Sequence, residues 1–322
     1  MSKSKCSLKL YSRFLIANQN HYSGLELSKI VPNVAHDSVS RWLANFNFRP
    51  PELWNQAKPL VNIKSGYLVI DDTLLNKRYS LENELARKQY SGDEHRLING
   101  ICLVNLLWTN STKCVPVDYR IYQKEVDGKS KNDLFIELLK KAKIRGFSPK
   151  YVLMDSWYSR IDNLKFIRSQ NWKFISNLKS NRIISCDRVQ MAISDLPLAD
   201  KQVRKVWLKA FGPILVCRVV ATNGDITYLA TNDLSLTNYH KFTNHFEQRW
   251  NIEEFHRGLK QTTGIEKCYS IKADSQKTHI FTAFISFTRL EAVRIAKQIS
   301  WYEQKASISR FATFNYLNYA SA

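Results

Sequence analysis

Apolar and polar residues near the start of the chain alternate at helical spacing. Residues 24–31 form an amphipathic segment that ends before Pro32, and a second short helix is expected over residues 36–46. A tight turn would join the two helices. We therefore expect residues 1–60 to form a helical module.

The following segment changes to short β-rich runs and then alternates strands with helices. Strands are expected over 66–70, 98–108, 115–122, 151–154 and 173–175, and helices over 130–146 and 162–169. Three strands followed by a helix, a strand, a helix and a strand are the succession of a ribonuclease-H-like domain. The predicted fold class is therefore α/β, with a mixed sheet flanked by helices, and residues 61–180 form the first part of this catalytic domain.

The alternation stops near residue 182, and only strand patterns follow until residue 232. Asn223-Gly224 between two β-rich runs predicts a hairpin there. We interpret residues 181–235 as a β-rich insertion in the larger domain. Helical patterns return at about residue 239, so residues 236–322 are expected to form the helical remainder of the catalytic domain.

The charge of the chain indicates a polyanionic partner. Lys and Arg number 48 against 28 Asp and Glu, which gives a net charge of +20. A hydrophobic content of 44% excludes a disordered basic tail, so nucleic acid bound by a folded protein is the leading expectation. The two N-terminal helices match a helix-turn-helix, in which Arg41 on the second helix would contact DNA. A simple packing hairpin would give the same pattern, and both interpretations stay open.

The cysteines and the apolar segments indicate a cytoplasmic protein. Six cysteines are scattered singly, which is typical of a reducing compartment rather than of a disulfide-linked secreted domain. No apolar run reaches the length of a membrane span, and no secretory signal pattern follows the N-terminus. We expect a cytoplasmic location and no membrane partner.

Acidic residues stand at the ends of predicted strands and in a late helix. Asp71 or Asp72 would end the first strand, Asp155 would end a later one, and Glu253 lies in the late helix. A carboxylate beside a buried strand is costly to desolvate unless it is paired or binds a metal. Each acid alone could simply cap a turn or a helix. Phe246, Arg249, Glu253 and Lys260 are spaced to share one side of a continuous helix.

These residues resemble the signature of bacterial insertion-sequence transposases with a DDE triad. In one group of that family the late helix reads Tyr, two residues, Arg, three residues, Glu, six residues, Lys. The four residues from Phe246 to Lys260 fit this spacing, with Phe in place of Tyr. Residues 69–73, Val-Ile-Asp-Asp-Thr, resemble the first acidic motif, and residues 152–158, Val-Leu-Met-Asp-Ser-Trp-Tyr, the second.

The resemblance implies a metal site and a set of DNA contacts. Asp72, Asp155 and Glu253 would be catalytic and hold two Mg²⁺ ions, for which Mn²⁺ could substitute. Only one of two adjacent strand residues can face the metals, and Asp72 is chosen because the family's acid directly precedes the Thr. By this resemblance Arg249 and Lys260 would contact the DNA backbone, with Phe246 beside them in the place of the family's Tyr. Two further contacts are expected from position alone: Lys179, just beyond the fifth predicted strand, and Arg41.

The predicted function is two-metal strand cleavage and strand transfer of an insertion sequence by cut-and-paste transposition. The chemistry requires no nucleotide cofactor, and the sequence has no glycine-rich phosphate-binding motif. The resemblance further implies double-stranded DNA as element end and target, a homodimer on that DNA, and a bacterial, nucleoid-associated location. Two alternatives stay open: an inactive or repurposed transposase that only binds DNA, and a ribonuclease-H-like nuclease without strand transfer.

Overall fold

The computed structural model describes residues 5–45, 48, 50–92 and 94–319. Its helices are α1 (Leu8–Ala17), α2 (Gly24–Ile30), α3 (His36–Asn45), α4 (Pro50–Ala57), α5 (Lys124–Asp127), α6 (Lys131–Ile144), α7 (Ile161–Ser169), α8 (Tyr239–Glu247), α9 (Asn251–Thr263), α10 (Ala273–Lys297) and α11 (Trp301–Tyr319). Its strands are β1 (Tyr67–Asn76), β2 (Arg87–Ser91), β3 (Arg96–Thr109), β4 (Cys114–Ile121), β5 (Tyr151–Met154), β6 (Phe174–Leu178), β7 (Ile183–Cys186), β8 (Val189–Ala192), β9 (Val203–Leu208), β10 (Gly212–Val220) and β11 (Ile226–Thr231). Residue 46, the last of the predicted second helix, lies outside the described residues.

The described strands form one large mixed sheet. Strand β3 pairs antiparallel with both β1 and β4, whereas β1, β5 and β6 pair in parallel. Short parallel strands need crossover connections, and α6 and α7 supply helices between β4, β5 and β6. The predicted α/β fold, a mixed sheet flanked by helices, is confirmed, and it is consistent with a ribonuclease-H-like fold.

Side chains on the two faces of the sheet enter two separate hydrophobic cores. The front core contains Val69 and Leu153 together with residues of α9 and α10. The back core contains Ile70 and Met154 together with residues of α6 and α7. Successive strand residues point to opposite faces, so position along β1 and β5 decides which layer of helices a side chain meets.

Strand β1 is longer than predicted and runs through the acidic pair. Its pairing with β3 is continuous from Tyr67 opposite Thr109 to Asn76 opposite Gly100. The apolar run ends at Ile70, but the ladder of backbone hydrogen bonds does not depend on apolar side chains. The two aspartates therefore lie within the strand and not at its end.

The predicted insertion continues the central sheet. Strand β11 pairs with β6, and β10, β9, β7 and β8 follow in that order. The predicted hairpin between β10 and β11 is present, with Gly224 at a φ of 88° in the turn. Strands β7 and β8 lie in the stretch after residue 182 but were not placed individually by the sequence pattern.

The N-terminal helices share the front core with the C-terminal helices. Tyr11 of α1 and Trp42 of α3 are buried in the same cluster as Phe281 of α10. The Tyr11 hydroxyl and His279 Nδ1 form a buried hydrogen bond of 3.0 Å. Residues 5–45 thus pack on the domain that contains the large sheet, while the boundaries predicted for the modules stay predictions.

The late helical segment is broken. Phe246 lies in α8, Gln248–Trp250 form a 3₁₀ turn, and α9 begins only at Asn251. The predicted helix is therefore interrupted by one tighter turn, through which the backbone stays helical. Arg249 in that turn still contacts both Phe246 and Glu253, as the predicted spacing requires.

Helix α9 approaches α11 closely at Gly258. A Cβ built at this glycine would lie 2.8 Å from a ring atom of Trp301 and 3.1 Å from the ring of Phe287. We predict that Gly258→Ala lowers the free energy of unfolding by about 1–3 kcal/mol, because the added methyl overpacks a buried contact. Thermal or urea unfolding measures the change. Gly92→Ala is the matched control, since a Cβ there meets nothing within 4 Å, and equal stability losses in both variants would contradict the prediction.

Candidate active site

Two acidic side chains meet on the front face of the sheet, where β1 and β5 run side by side. Val69 is paired with Leu153, and both belong to the front core. Continuing this parallel register by two residues sets Asp71 beside Asp155. Strand neighbours are about 4.8 Å apart in the hydrogen-bonding direction, so alternation and register together bring these carboxylates to one place.

Glu253 reaches the same face from the first turn of α9. The Arg249 guanidinium joins it to the strand: Nη2 lies 2.7 Å from Glu253 Oε1, and Nη1 lies 3.7 Å from Asp71 Oδ2. The same guanidinium lies over the Phe246 ring at 5.7 Å from its centroid. A cationic group thus occupies the space between two of the three acids.

The electrostatics of this cluster are unfavourable for ionised carboxylates. Burial, and next the neighbouring charge of Asp155, raise the pKa of Asp71 to about 8. Burial also raises the pKa of Asp155, and the charge of Asp72 adds to that increase. Arg249 lowers the pKa of both acids but does not offset the burial. Crowded acids of this kind ionise readily only when a further cation joins them.

Asp155 is fixed by the turn that follows β5. Its Oδ1 accepts hydrogen bonds from the backbone N–H groups of Trp157 at 3.0 Å and Tyr158 at 3.3 Å. The sequence predicted an acid at this strand end, but it did not predict this turn. The turn therefore holds one carboxylate oxygen of Asp155 against the backbone.

The Asp72 carboxylate is held by residues of the back layer, although Asp72 lines the same cleft as Asp71 and Glu253. Its Oδ2 lies 2.7 Å from Lys131 Nζ at the start of α6, and its Oδ1 accepts a hydrogen bond of 2.8 Å from the Tyr158 hydroxyl. The Cys102 thiol also approaches Oδ2 at 3.5 Å. Both carboxylate oxygens are therefore engaged on the back face. Thr73, which follows Asp72 in the sequence, does not indicate which face of the sheet packs against α9.

Tyr158 connects the two acidic positions. Its backbone N–H contacts Asp155 while its buried hydroxyl contacts Asp72. Its ring stacks on Phe135 of α6 at a centroid distance of 5.3 Å. Lys131 and Tyr158 were not selected as functional residues, although the sequence signal, a Tyr three residues after the second acid, was within the motif.

The cleft in front of the acids is lined by residues of β1, of the β2–β3 turn and of α9, including Lys260 and His256. Lys260 Nζ donates to the Leu74 carbonyl at 3.0 Å and lies 3.7 Å from Glu266 Oε1. His256 Nε2 accepts a hydrogen bond from Asn105 Nδ2 at 2.8 Å. Burial lowers the pKa of His256 to about 3, so its ring is neutral and acts as a fixed wall of the cleft.

The remaining predicted DNA contacts lie at different places. Arg41 is exposed on α3, which packs against α10 rather than against the acidic strands. Lys179 follows β6 and places its ammonium 5.4 Å from the centre of the Trp157 ring. The structure therefore brings Lys179 near Asp155 but leaves Arg41 in the N-terminal helices.

The donor set fits a hard divalent cation. Oxygen ligands from Asp and Glu suit Mg²⁺ and Mn²⁺, and buried Asp71 with its raised pKa lacks a full counter-charge. Within residues 5–45, 48, 50–92 and 94–319, no three Asp, Glu, His or Cys side chains form a ready-made metal site. Between Asp71 and Glu253 lies the guanidinium of Arg249, which contacts both.

Comparison with known proteins gives one family match and one match of the fold. The family described as "Transposase DDE domain" matches residues 64–288, more than two thirds of the chain, and this range contains all the acids discussed. No curated protein sequence matches the chain significantly. The fold is similar to that of piggyBac transposase in a cryo-EM synaptic complex with hairpin DNA, with a TM-score of 0.56 and 11% identity over 94% of this chain and 68% of that one.

The two adjacent aspartates should respond oppositely to neutralisation in metal-free buffer. The pKa of Asp71 is raised from 3.8 to about 8, so the folded state keeps a proton that the unfolded state releases. Stability then falls as pH rises between these values, and the full penalty is present above about pH 8. We predict that Asp71→Asn removes the penalty and raises the free energy of unfolding by on the order of 2 kcal/mol at alkaline pH.

Asp72→Asn is the matched control on the same strand. It leaves Lys131 without its carboxylate partner, so a loss of about 1–3 kcal/mol is expected. Urea unfolding in EDTA across the pH range measures both variants. The Asp71→Asn gain must shrink towards acid pH, and a gain that is constant with pH would refute the assignment.

Proposed function

The chain belongs to the transposase DDE-domain family, and on this premise we propose that it cuts DNA at the ends of an insertion sequence and joins those ends to a target. The observation that carries the proposal is that Arg249 joins Asp71 to Glu253 on the front face, while the strand register sets Asp155 beside Asp71. Three separate elements, β1, the turn after β5 and α9, deliver one carboxylate each. Such an arrangement serves phosphodiester chemistry, which needs positioned carboxylates rather than a Ser or Cys nucleophile.

We propose Asp71 as the first acid of the triad, in place of the Asp72 expected from the sequence. Asp71 shares its face with Asp155 and contacts the arginine that holds Glu253. Asp72 is occupied by Lys131 and Tyr158 on the other face. Its role in the proposal is to fix Tyr158, whose backbone orients Asp155.

The triad would hold two Mg²⁺ ions, with Mn²⁺ as a substitute. When bound, such ions activate the attacking oxygen and stabilise the leaving oxygen. The chain's own part is to place the carboxylates, to keep Asp155 aimed by the turn after β5, and to wall the cleft with the neutral His256. Binding also requires Arg249 to leave the space between Asp71 and Glu253.

Arg249 would move from the acids to a DNA phosphate. The Arg249 side chain is long and only 18% exposed, and its guanidinium is paired with the carboxylates of Asp71 and Glu253. Arg pairs equally well with phosphate oxygens in a bidentate manner. The Phe246 ring lies against the Arg249 guanidinium. Phe246 would therefore position Arg249 as well as contact the DNA strand. Lys260, which lines the same cleft, would be a second contact to the DNA phosphates.

Double-stranded DNA is the proposed substrate, as element end and as target. A net charge of +20 supports strong and salt-dependent binding to phosphates. Arg41 on α3 would contribute to recognition of the element ends, and a homodimer would pair two such ends. Free thiols at all six cysteines support a reducing cytoplasm and a nucleoid-associated location in a bacterium. No helix in the described part of the chain has the length and apolar character of a membrane span.

The decisive experiment is a cleavage and strand-transfer assay on DNA that carries the inverted repeats flanking this gene, in Mg²⁺ and in Ca²⁺. We predict that the wild type cuts the repeat ends in Mg²⁺ and joins them to a second duplex. Asp71→Asn, Asp155→Asn and Glu253→Gln should each abolish cutting while retaining DNA binding. Asp72→Asn should lower the rate by only about ten- to a hundredfold, as expected for a residue that orients a metal ligand.

The outcomes separate the alternatives. Loss of cutting in Asp72→Asn with retained cutting in Asp71→Asn would restore the sequence expectation. Tight binding by the wild type without cutting in either metal would favour a DNA-binding protein derived from a transposase. Cutting without joining would favour a nuclease.

The position of Arg249 predicts a change in metal affinity. Arg249→Ala should bind Mn²⁺ more tightly than the wild type in the absence of DNA, because a competing cation has been removed from between the acids. Its affinity for DNA should fall. The free Mn²⁺ signal in electron paramagnetic resonance titrations measures the first effect. Lys260→Ala, whose ammonium pairs with Glu266, is the control, and equal Mn²⁺ affinity in wild type and Arg249→Ala would oppose the proposal.

A further inference from the structure

A hairpin at one edge of the sheet forms a wall of the active-site cleft. Strand β2 ends the described sheet and pairs on one side only, with β3. We call residues 87–92 and 94–99, which form β2, part of the turn after it and the first residues of β3, the rim hairpin. Tyr90, Ser91 and Gly92 of this hairpin line the cleft that also contains Asp71 and Glu253. The rim hairpin and helix α9 therefore border the same cleft.

Two apolar side chains project from one face of the rim hairpin. Tyr90 is 64% exposed and Leu97 is 68% exposed. The two residues are directly paired across the antiparallel strands, so their side chains lie side by side on the same face. The next residue, Ile98, points to the other face and is buried. An exposed apolar pair beside a reaction centre marks a surface that a binding partner covers.

The charged residues around this pair favour a polyanion as the partner. Lys88 precedes Tyr90 by two residues, so both side chains lie on the same face of β2, and Lys88 is exposed. Arg257 lines the same cleft from α9 and is also exposed. Within the described part of the chain, neither of these two cations forms an ion pair. DNA phosphates would supply the negative charges, and the stacked bases between them would meet the apolar pair.

The rim hairpin is fixed in place before DNA binds. Glu94 in its turn accepts hydrogen bonds from Arg96 Nη2 at 2.7 Å and from Asn76 Nδ2 at 3.1 Å. Asn76 is the last residue of β1, so this carboxylate ties the turn to the strand that carries the acids. Arg78 also pairs with Glu94. A side chain that is held rigidly on such a frame loses little conformational entropy when it enters DNA.

We propose that the rim hairpin inserts Tyr90 and Leu97 between base pairs of the target duplex and kinks this duplex across the cleft. Apolar side chains placed between two base pairs unstack them and bend the DNA. Such a wedge needs base pairs on both sides of it, which an uncut target duplex provides. Lys88 and Arg257 bind the phosphates beside the kink. The proposal rests on the proposed function and deepens it, because it names the form of target DNA that the site takes.

The test compares two duplexes of equal length that lack the inverted repeats of the element. One is fully paired, and the other has a central mismatch of two base pairs, which lowers the cost of unstacking. Fluorescence anisotropy with the full chain in EDTA measures binding without cleavage. The wild type is expected to prefer the mismatched duplex by about tenfold. Resonance energy transfer between dyes at the two ends of the duplex should increase on binding, because a kink brings the ends together.

The Tyr90→Ala/Leu97→Ala double variant should lose both the preference for the mismatch and the bend. Tyr90→Phe should keep both, because it retains the apolar ring. Tyr79→Ala is the matched control: Tyr79 lies in the loop before β2 and is 93% exposed, but it is not among the residues that line the cleft. This control should retain the full preference. Lys88→Ala should weaken the binding of both duplexes by a similar factor, because a phosphate contact does not depend on the bases.

Two results would overturn the inference: equal wild-type affinity for both duplexes, or an unchanged preference in the Tyr90→Ala/Leu97→Ala variant. An equal loss in Tyr79→Ala would also reject it, because the effect would not belong to the cleft. A mismatch preference confined to duplexes that carry the inverted repeats would reject the assignment to target DNA. Thermal unfolding of each variant checks that the fold is intact. The binding assay needs no metal, so a wedge-dependent preference and bend without any cutting in Mg²⁺ would support the rim hairpin as a DNA wedge and reject the transposition chemistry alone.

Discussion

The site depends on one electrostatic constraint, the crowding of Asp71 and Asp155 at the junction of two parallel strands. Neither carboxylate can move away, because β1 is paired along its whole length with β3 and Asp155 is bonded to the turn behind it. Burial then makes their ionisation expensive and raises the pKa of Asp71 to about 8. The rest of the fold holds these two like-charged groups together, whereas they would separate in a flexible chain. A cation bound beside them would offset their repulsion, so the arrangement favours cation binding.

Alternation along a single strand separates two tasks. Asp71 faces the layer of α9 and α10, and Asp72 faces the layer of α6 and α7. In the proposed mechanism, a difference of one residue therefore separates a metal-binding carboxylate from a carboxylate that positions its neighbours. The supporting network of Asp72, Lys131 and Tyr158 reaches the front face again through the backbone of Tyr158. The supporting residues are thus linked to Asp155 through Tyr158 and not across the cleft.

Much of the fold could be predicted from the sequence because its elements carry local signals. The capping box of Ser130 and Asp133 begins α6 one residue after the predicted start, and the hairpin at Gly224 follows from its dipeptide. The length of β1 could not be predicted, because it depends on pairing with a distant strand. The break at Gln248–Trp250 was also hidden, since a 3₁₀ turn keeps nearly the same apolar spacing as a helix.

For the candidate site, the spacing of the acids selected three regions that the fold brings near one another, but the environments of Asp71 and Asp72 could be told apart only from the three-dimensional structure. Which layer of helices carries Glu253 depends on the path of the chain after β11, far from either aspartate in sequence. Lys131 and Tyr158 were missed for the same reason. Their importance comes from the carboxylate they share and not from a motif of their own.

The hydrogen bond between Tyr11 and His279 spans 268 residues of sequence. A ribosome adds about 5–20 residues per second, so α1 waits on the order of 10–50 s for the helix on which it packs. During synthesis the first helices have no core of their own to join, and the front layer closes only when α10 has emerged. The front layer of helices is therefore completed late, from segments far apart in the sequence, and a nascent chain that stops before α10 would have only α9, of the helices α9 and α10, over the acidic strands.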